Sequence, residues 1–226
     1  RYNVLGPSYS LGIHANTYFG KLYNSGQLKL RLDLPGRPDF FIEPFATINR
    51  MDYYKSSSFF KDDIKPAYLL VTDQSFGLNI GMPARNKGAL IVGGNYFNIK
   101  DRYYQTRNFS VNDTADFTRF EGVSCVVGFE RNTLNRKMYA SKGSYLSIRT
   151  RFVSGNEITN PGSKQDNAPT ISEWHQWWQV KMIYDNYFFR AGKYKLGFYA
   201  ETNFSGQPFF NNYTATILQM PGFYPT

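Results

Sequence analysis

The chain of 226 residues has few of the residues that build common metal and catalytic centres. Its single cysteine, Cys125, excludes a disulfide scaffold and a cysteine-based zinc site. Its two histidines, His14 and His175, have no second histidine at metal-ligand spacing, so we expect both to be ordinary strand histidines. Nucleophile-elbow, phosphate-loop and dinucleotide motifs are missing. The sequence therefore predicts no catalytic residue, no cofactor and no metal site in this segment.

Long apolar runs and helical stripes are missing as well. No run reaches eighteen apolar residues, which excludes a transmembrane helix, and no apolar stripe at helical spacing exceeds two turns. The composition, 42% hydrophobic and 18% aromatic, is too aromatic for a disordered chain. The net charge of +9 leaves an anionic surface or nucleic acid open as a partner.

Period-two alternation recurs along the chain and indicates strands with two different faces. In residues 27–34 four leucines point one way, and Gln, Lys, Arg and Asp point the other. Most segments reach ten residues, against about five or six in ordinary globular strands and about 9–11 in strands that cross a bilayer. Ten such segments are predicted, at roughly 9–19, 27–34, 40–54, 67–82, 88–100, 120–131, 143–154, 174–188, 193–205 and 211–218.

The connections alternate between short turns, as at 35–39 and 83–87, and long polar loops, as at 101–119 and 155–173. This alternation is typical of outer-membrane barrels. Charged residues that alternate with apolar ones are predicted to line a polar interior: Lys29, Arg31, Arg149, Arg151, Lys181, Lys195 and Glu201. Aromatic residues near segment ends are candidates for the girdles of a barrel: Tyr53, Tyr54, Tyr103, Tyr104, Trp174, Trp178, Tyr187 and Phe188.

These patterns predict an all-β, antiparallel, up-and-down transmembrane barrel that occupies residues 1–226 as one domain. Aromatic and basic residues segregate to opposite faces, which argues against nucleic acid as a partner. The expected location is the outer membrane of a Gram-negative bacterium. The expected partners are outer-membrane phospholipid and lipopolysaccharide, together with a possible outer-membrane protein complex.

One stretch, residues 128–148, resembles a hairpin of the Omp85 superfamily (surface-antigen, BamA-like barrels). In that hairpin a strand ends in Asp or Asn, a short turn follows, and a glycine opens the next strand. Asn132, Arg136 and Gly143 stand at these places, and the 132–142 connection is expected on the periplasmic side. The Arg-Gly-Phe/Tyr loop motif of the superfamily is missing, and Arg190-Ala191-Gly192 does not replace it.

The wider chain is similar to the barrel region of patatin-like phospholipase proteins of Bacteroidetes outer membranes. Residues 23–31, 41–45, 130–136 and 196–210 carry the likeness. The resemblance implies a longer parent protein, in which a patatin hydrolase domain with a Ser-Asp dyad and a POTRA-like segment precede a sixteen-stranded barrel. No residue of the dyad maps onto this sequence, and about ten of the sixteen strands would lie in it.

The resemblance implies a membrane anchor and translocation pore for a lipid acyl hydrolase, with no chemistry in this segment. Three alternatives stay open. One is a BamA-like assembly or secretion factor, and another is a porin or a subunit of a larger outer-membrane complex. The third is a soluble, aromatic-rich β-sandwich that binds glycan.

Overall fold

The computed structural model describes residues 2–5, 9–36, 39–52, 68–84, 88–104, 112–136, 140–163, 168–192 and 194–210. The regular structure in these ranges is entirely β, and none of them contains a helix long and apolar enough to cross a membrane. The strands are β1 (Tyr2–Leu5), β2 (Ser10–Phe19), β3 (Tyr23–Leu34), β4 (Phe40–Asp52), β5 (Tyr68–Ala84), β6 (Gly88–Tyr103), β7 (Asp116–Asn132), β8 (Gly143–Asn160), β9 (Ile171–Ala191) and β10 (Tyr194–Ser205).

The ten strands form one antiparallel sheet in which each strand pairs with its neighbours in chain order. The prediction of an all-β, up-and-down arrangement is confirmed at this level. Nine of the ten predicted segments correspond to β2–β10, while the tenth, 211–218, lies outside the described residues. The short β1 was not predicted, because four residues are too few to display an alternating pattern.

Several strands extend further than the alternation predicted, and three of these extensions border the long connections. β7 begins at Asp116, β8 continues to Asn160, and β9 begins at Ile171, so the long connections contain less loop than expected. Polar residues occupy both faces in these extensions, so apolar-polar alternation fades there. The backbone hydrogen-bonding ladder nevertheless continues, as in the pair between Thr118 and Thr159.

Cross-strand partners share a face of the sheet, so the register divides the side chains into two sets. One set, which we call the apolar face, includes the row Leu28, Ala46, Phe76, Tyr96 and Val123 across β3–β7. The other set, which we call the polar face, carries Asp, Glu, Lys, Arg, Ser and Asn in most strands. Every strand from β3 to β10 contributes to both faces.

The polar face is the concave one. The rings of Phe120 on β7 and Trp177 on β9 stack at 5.6 Å between centroids, although β8 lies between their strands. Two strand spacings in a flat sheet would be about 9.6 Å. Close approach at four glycines of the polar face agrees with this curvature, although Gly128 on that face has no contact below 3.7 Å. On the polar face, a Cβ would overlap atoms of a neighbouring strand at Gly77, Gly93, Gly122 and Gly155. On the apolar face, Gly26 has open space and Gly94 only an ordinary contact.

The buried core lies within this concavity. Its apolar members are Phe97, Phe120, Val153, Trp177 and Phe210. After β10, the backbone N–H of Gly206 donates to the carbonyl of Trp178 at 3.0 Å, and the chain then crosses the polar face. As a result the ring of Phe210 lies 4.8 Å from that of Phe120, which belongs to β7, two strands from β9.

Candidate functional site

A carboxylate–histidine cluster lies at the end of the concave face nearest the 104–115 and 161–170 connections. Glu157 on β8 is completely buried, and its cross-strand partner on β9 is the exposed Glu173. His175 follows two residues later on the same face, and its Nε2 lies 2.7 Å from Oε2 of Glu157. The ligand atoms of all three side chains lie within 4.8 Å of one another. Imidazole and carboxylate groups are ligands for several divalent transition metals, so these residues have the donor atoms to hold one.

Hydroxyl groups connect this cluster to the neighbouring strands. The Thr159 hydroxyl donates to Oε1 of Glu157 at 3.2 Å. Thr118 lies 3.1 Å from both the Thr159 hydroxyl and the Tyr103 hydroxyl, so a continuous line of polar contacts runs from β6 to β8. Buried polar groups in a low-dielectric environment are stable only when they are hydrogen-bonded. This network therefore holds the Glu157 carboxylate in a defined position.

Aromatic rings cover the cluster from the concave side. Phe210 stacks on the His175 imidazole at 4.6 Å with an interplanar angle of 16°, and it also contacts Phe120 and Trp177. Just beyond β6, Tyr104 donates its hydroxyl to the carbonyl of Asp113 at 2.8 Å. Burial, followed by the negative charge of Asp113, raises the pKa of Tyr104. The Tyr104 phenol therefore stays protonated and keeps this hydrogen bond at neutral pH.

A basic region lies further along the same face, towards the 133–142 connection. Arg149 and Arg151 alternate on β8, and the cross-strand partner of Arg149 on β9 is Lys181. Lys181 Nζ forms an ion pair with Oε1 of Glu201 at 2.9 Å. Arg151 also interacts electrostatically with Asp73 on β5, a strand separated from β8 by β6 and β7. The curvature of the sheet thus brings charged side chains of distant strands close enough to influence one another.

The residues predicted to line a polar interior share the polar face wherever their side chains are described. These are Lys29, Arg31, Arg149, Arg151, Lys181 and Glu201. The side chain of Lys195 lies outside the described part of the structure. Lys29 is the cross-strand partner of His14, and Arg31 pairs with Asp33 at 2.9 Å.

The aromatic candidates fall into three groups. Those exposed on the apolar face, as a girdle requires, are Trp174, Trp178 and Phe188. Tyr187 belongs to the polar face, and Tyr103 and Tyr104 are buried, so these three do not fit the exposure expected of a girdle. Tyr53 and Tyr54 lie outside the described residues.

The hairpin residues are ordered by local hydrogen bonds. The side chain of Asn132 accepts from the backbone N–H of Leu134 at 3.0 Å. Gly143 has φ of 99°, and a Cβ there would overlap the Thr133 carbonyl, so the re-entry into β8 requires glycine. Arg136 is exposed in the connection between the two strands.

Sequence reasoning missed the carboxylate–histidine cluster because Glu157 and His175 lie on different strands, 18 residues apart in the chain. The alternation of Glu173 and His175 places them on one face, but only the register of β8 against β9 brings Glu157 beside them. The expected segregation of aromatic from basic residues is also incomplete, since Phe120 and Trp177 lie on the polar face. Cys125 lies on the apolar face and is exposed.

Comparison of the chain with models of protein families, with curated proteins and with solved structures finds no match. The geometry of the fold nevertheless defines a class of protein. It is an all-β protein with one antiparallel up-and-down sheet, a concave polar face and an exposed apolar face.

Proposed function

We propose that this sheet is part of a transmembrane β-barrel in the outer membrane of a Gram-negative bacterium. The observation that carries the proposal is the inversion of the two faces. The polar face is concave and contains most of the buried residues, whereas large apolar side chains on the other face are exposed. Examples are Phe76 at 60%, Val123 at 53% and Phe198 at 55% exposure. This inversion is the arrangement of a barrel with lipid outside and a polar interior.

The height of the apolar band supports the same proposal. On the apolar face of β7, Val123, Cys125, Val127 and Phe129 lie between the charged residues Glu121 and Arg131. Ten residues of strand span about 34 Å. With a strand tilt of about 40–45°, this corresponds to a vertical height of about 25 Å, which is the height of the apolar band in outer-membrane barrels.

An aqueous location would require a cover for the apolar face. Soluble monomers rarely expose a continuous apolar patch larger than a few hundred Å². Here the exposed apolar residues occur on successive strands from β3 to β10, and no second layer packs on them within the described ranges. Lipid covers such a face without any further protein layer.

The proposed role is that of an anchor and translocation pore for a patatin-like lipid acyl hydrolase. The likeness of residues 23–31, 41–45, 130–136 and 196–210 to the barrels of such proteins supports this role. In this proposal the hydrolytic residues belong to another part of the parent protein, and the polar face lines the pore. Further strands or a partner chain close the barrel between β1 and β10, because unpaired strand edges are costly in lipid.

Fractionation of native cells tests the location and the parent protein together. We expect the protein in the outer-membrane fraction, soluble only in detergent, with a mass well above 26.1 kDa and esterase activity in the purified sample. If the parent protein contains a POTRA series and no hydrolase domain, the BamA-like assembly factor becomes the better hypothesis than the hydrolase anchor. Recovery in the soluble fraction without detergent would overturn the membrane proposal.

Two arginine substitutions on the same face of β9 test the lipid contact directly. Val180 is exposed within the apolar band, and Ser172 is exposed near the end of the strand. We expect Val180→Arg to lower the free energy of unfolding from lipid vesicles by about 2–4 kcal/mol, and Ser172→Arg by about 0–1 kcal/mol. Equal small losses would indicate that water, not lipid, surrounds the apolar face.

A passive pore is the second candidate, and the basic region of the polar face favours it. Charged side chains on the interior of a barrel tune the selectivity for ions. Reconstitution of the full-length protein in planar bilayers tests this candidate. Steady conductance with anion preference would support a porin, and a closed barrel would favour the anchor.

A further inference from the structure

Two arginines in the basic region carry no ionic or hydrogen-bonded partner. Neither Arg149 nor Arg151 forms a salt bridge or a side-chain hydrogen bond with the part of the chain that the structure describes. Both side chains belong to the polar face of β8. The cross-strand partner of Arg149 is a third cation, Lys181, and like charges directly opposite each other destabilise a sheet.

Two other cations on the same face are neutralised. Arg31 pairs with Asp33 at 2.9 Å, and Lys181 pairs with Glu201 at 2.9 Å. Asp73 on β5 attracts Arg151 electrostatically but does not come within salt-bridge distance of it. Arg149 and Arg151 are thus two neighbouring guanidinium groups without a directly paired carboxylate, whereas the cation Lys29 lies apart from them on β3.

Arg149 is exposed on the polar face, so its side chain is accessible to a solute. Its cross-strand partner on β7 is Gly128, and a Cβ there would meet nothing closer than 3.7 Å. The nearest side-chain atoms at that position belong to Arg149 itself, so its side chain lies beside the glycine. Glycine at this position therefore leaves room for the Arg149 side chain to lie against β7.

We propose that Arg149 and Arg151 form a binding site for a phosphate group. Residues two apart on one strand face have Cα atoms about 6.8 Å apart, so two arginine side chains can converge on one small anion. A carboxylate is saturated by one guanidinium fork, whereas a tetrahedral phosphate has enough oxygen atoms to accept from both. Lys181, the cross-strand partner of Arg149, lies beside the site with its ammonium group paired to Glu201.

This inference deepens the proposed function, because in a barrel the polar face is the pore interior and the site would select phosphate-bearing solutes or headgroups. Binding by the isolated protein does not depend on the location in a membrane or on any hydrolase. Failure of phosphate binding therefore leaves the result of the Val180→Arg membrane test valid. Failure of the membrane test likewise leaves the phosphate-binding result valid.

Isothermal titration of the full-length protein with inorganic phosphate, in a neutral maltoside detergent at low ionic strength, tests the site. We expect saturable binding that weakens about tenfold in Arg149→Gln and in Arg151→Gln, and about a hundredfold in the double variant. Arg149→Lys keeps the charge but loses the planar fork, and we expect an intermediate loss. Arg31→Gln removes a paired arginine from the same face and serves as the matched control, with a change below twofold.

Absence of saturable binding to the unaltered protein overturns the proposal. So does an equal loss in Arg31→Gln, since that result would indicate attraction to net charge alone. Each variant is checked for native sheet content by circular dichroism, and the single variants decide the matter if the double variant does not fold. Phosphatidic acid added to the micelles distinguishes the source of the phosphate. Displacement of inorganic phosphate indicates a lipid headgroup, and continued binding indicates a soluble phosphate compound.

Discussion

Neighbouring side chains in β9 experience opposite surroundings. Trp174 and Trp178 on the apolar face are 61% and 56% exposed, whereas His175 and Trp177 on the polar face are 4% and 7% exposed. The same indole group at positions 177 and 178 is therefore buried in one case and uncovered in the other. Hydrophobicity alone does not decide burial in this sheet, because the curvature decides which face is enclosed.

The comparison indicates that the two faces contribute to stability by different means. On the concave face, aromatic rings pack around a hydrogen-bonded polar network, so packing and polar contacts depend on each other. On the apolar face, side chains have few protein neighbours, and their contribution depends on the surrounding medium. Substitutions that contrast the two faces therefore separate protein packing from the effect of the solvent.

Truncation of the two adjacent tryptophans is the strongest test of this contrast. Trp177 stacks on Phe120 within the buried core, so Trp177→Ala leaves a large cavity and should cost about 3–5 kcal/mol of unfolding free energy. Trp178 contacts mainly the Phe152 ring, at 4.8 Å, and Trp178→Ala should cost distinctly less. Urea unfolding in detergent micelles measures both. Equal losses would show that the concave face is not the principal core.

The buried pair of Glu157 and His175 should have the next largest effect. Removal of one partner leaves the other polar group buried, so Glu157→Leu alone should cost about 3 kcal/mol. The double variant with His175→Leu should recover much of this loss, because neither polar partner is then left buried alone. A thermodynamic cycle of unfolding free energies measures the coupling. Strictly additive losses would contradict the interaction between the two side chains.

The glycines of the two faces test the curvature with a smaller change. A Cβ at Gly122 would overlap the Ser154 carbonyl and the Gly155 backbone, neither of which can move freely. Gly122→Ala should therefore cost about 1–3 kcal/mol. The matched control is Gly94→Ala on the apolar face, where the nearest atom is 3.6 Å away and the expected change is within about 0.5 kcal/mol. Equal tolerance at both positions, measured by urea unfolding, would argue for a flat sheet.

Much of the fold could be predicted because strand periodicity is a local property. The alternation in 27–34 and 143–154 determines which residues share a face, and Gly143 marks the start of β8 through its positive φ. Curvature could not be predicted, because it depends on how many strands pair and on close approaches such as that of Gly122 to Gly155. The prediction that aromatics avoid the polar face failed because the concave side of the sheet encloses a core, to which Phe120 and Trp177 belong.

The candidate site shows the same limit. Arg149, Arg151 and Lys181 were identified from their alternation with apolar residues, and all three share the polar face. Glu157 and His175 were not connected, because their contact depends on the register of two strands joined by a long connection. Sequence separation conceals such contacts even where each residue is assigned to the correct strand.

An exposed and a buried ion pair on the polar face can also be compared, and here we expect the smallest effect on stability. The side chains of Arg31 and Asp33 are each 45% exposed, so water screens their attraction, unlike that of the buried Glu157 and His175. Arg31 also lies over the Phe41 ring at 3.8 Å, a contact that remains after Asp33→Asn. We expect this substitution to cost at most about 1 kcal/mol, and to cost less as salt is added. Urea unfolding at low and high ionic strength measures the difference. A loss as large as that of Glu157→Leu would mean that Arg31 and Asp33 are enclosed as tightly as the core, and that the concave face has no open end.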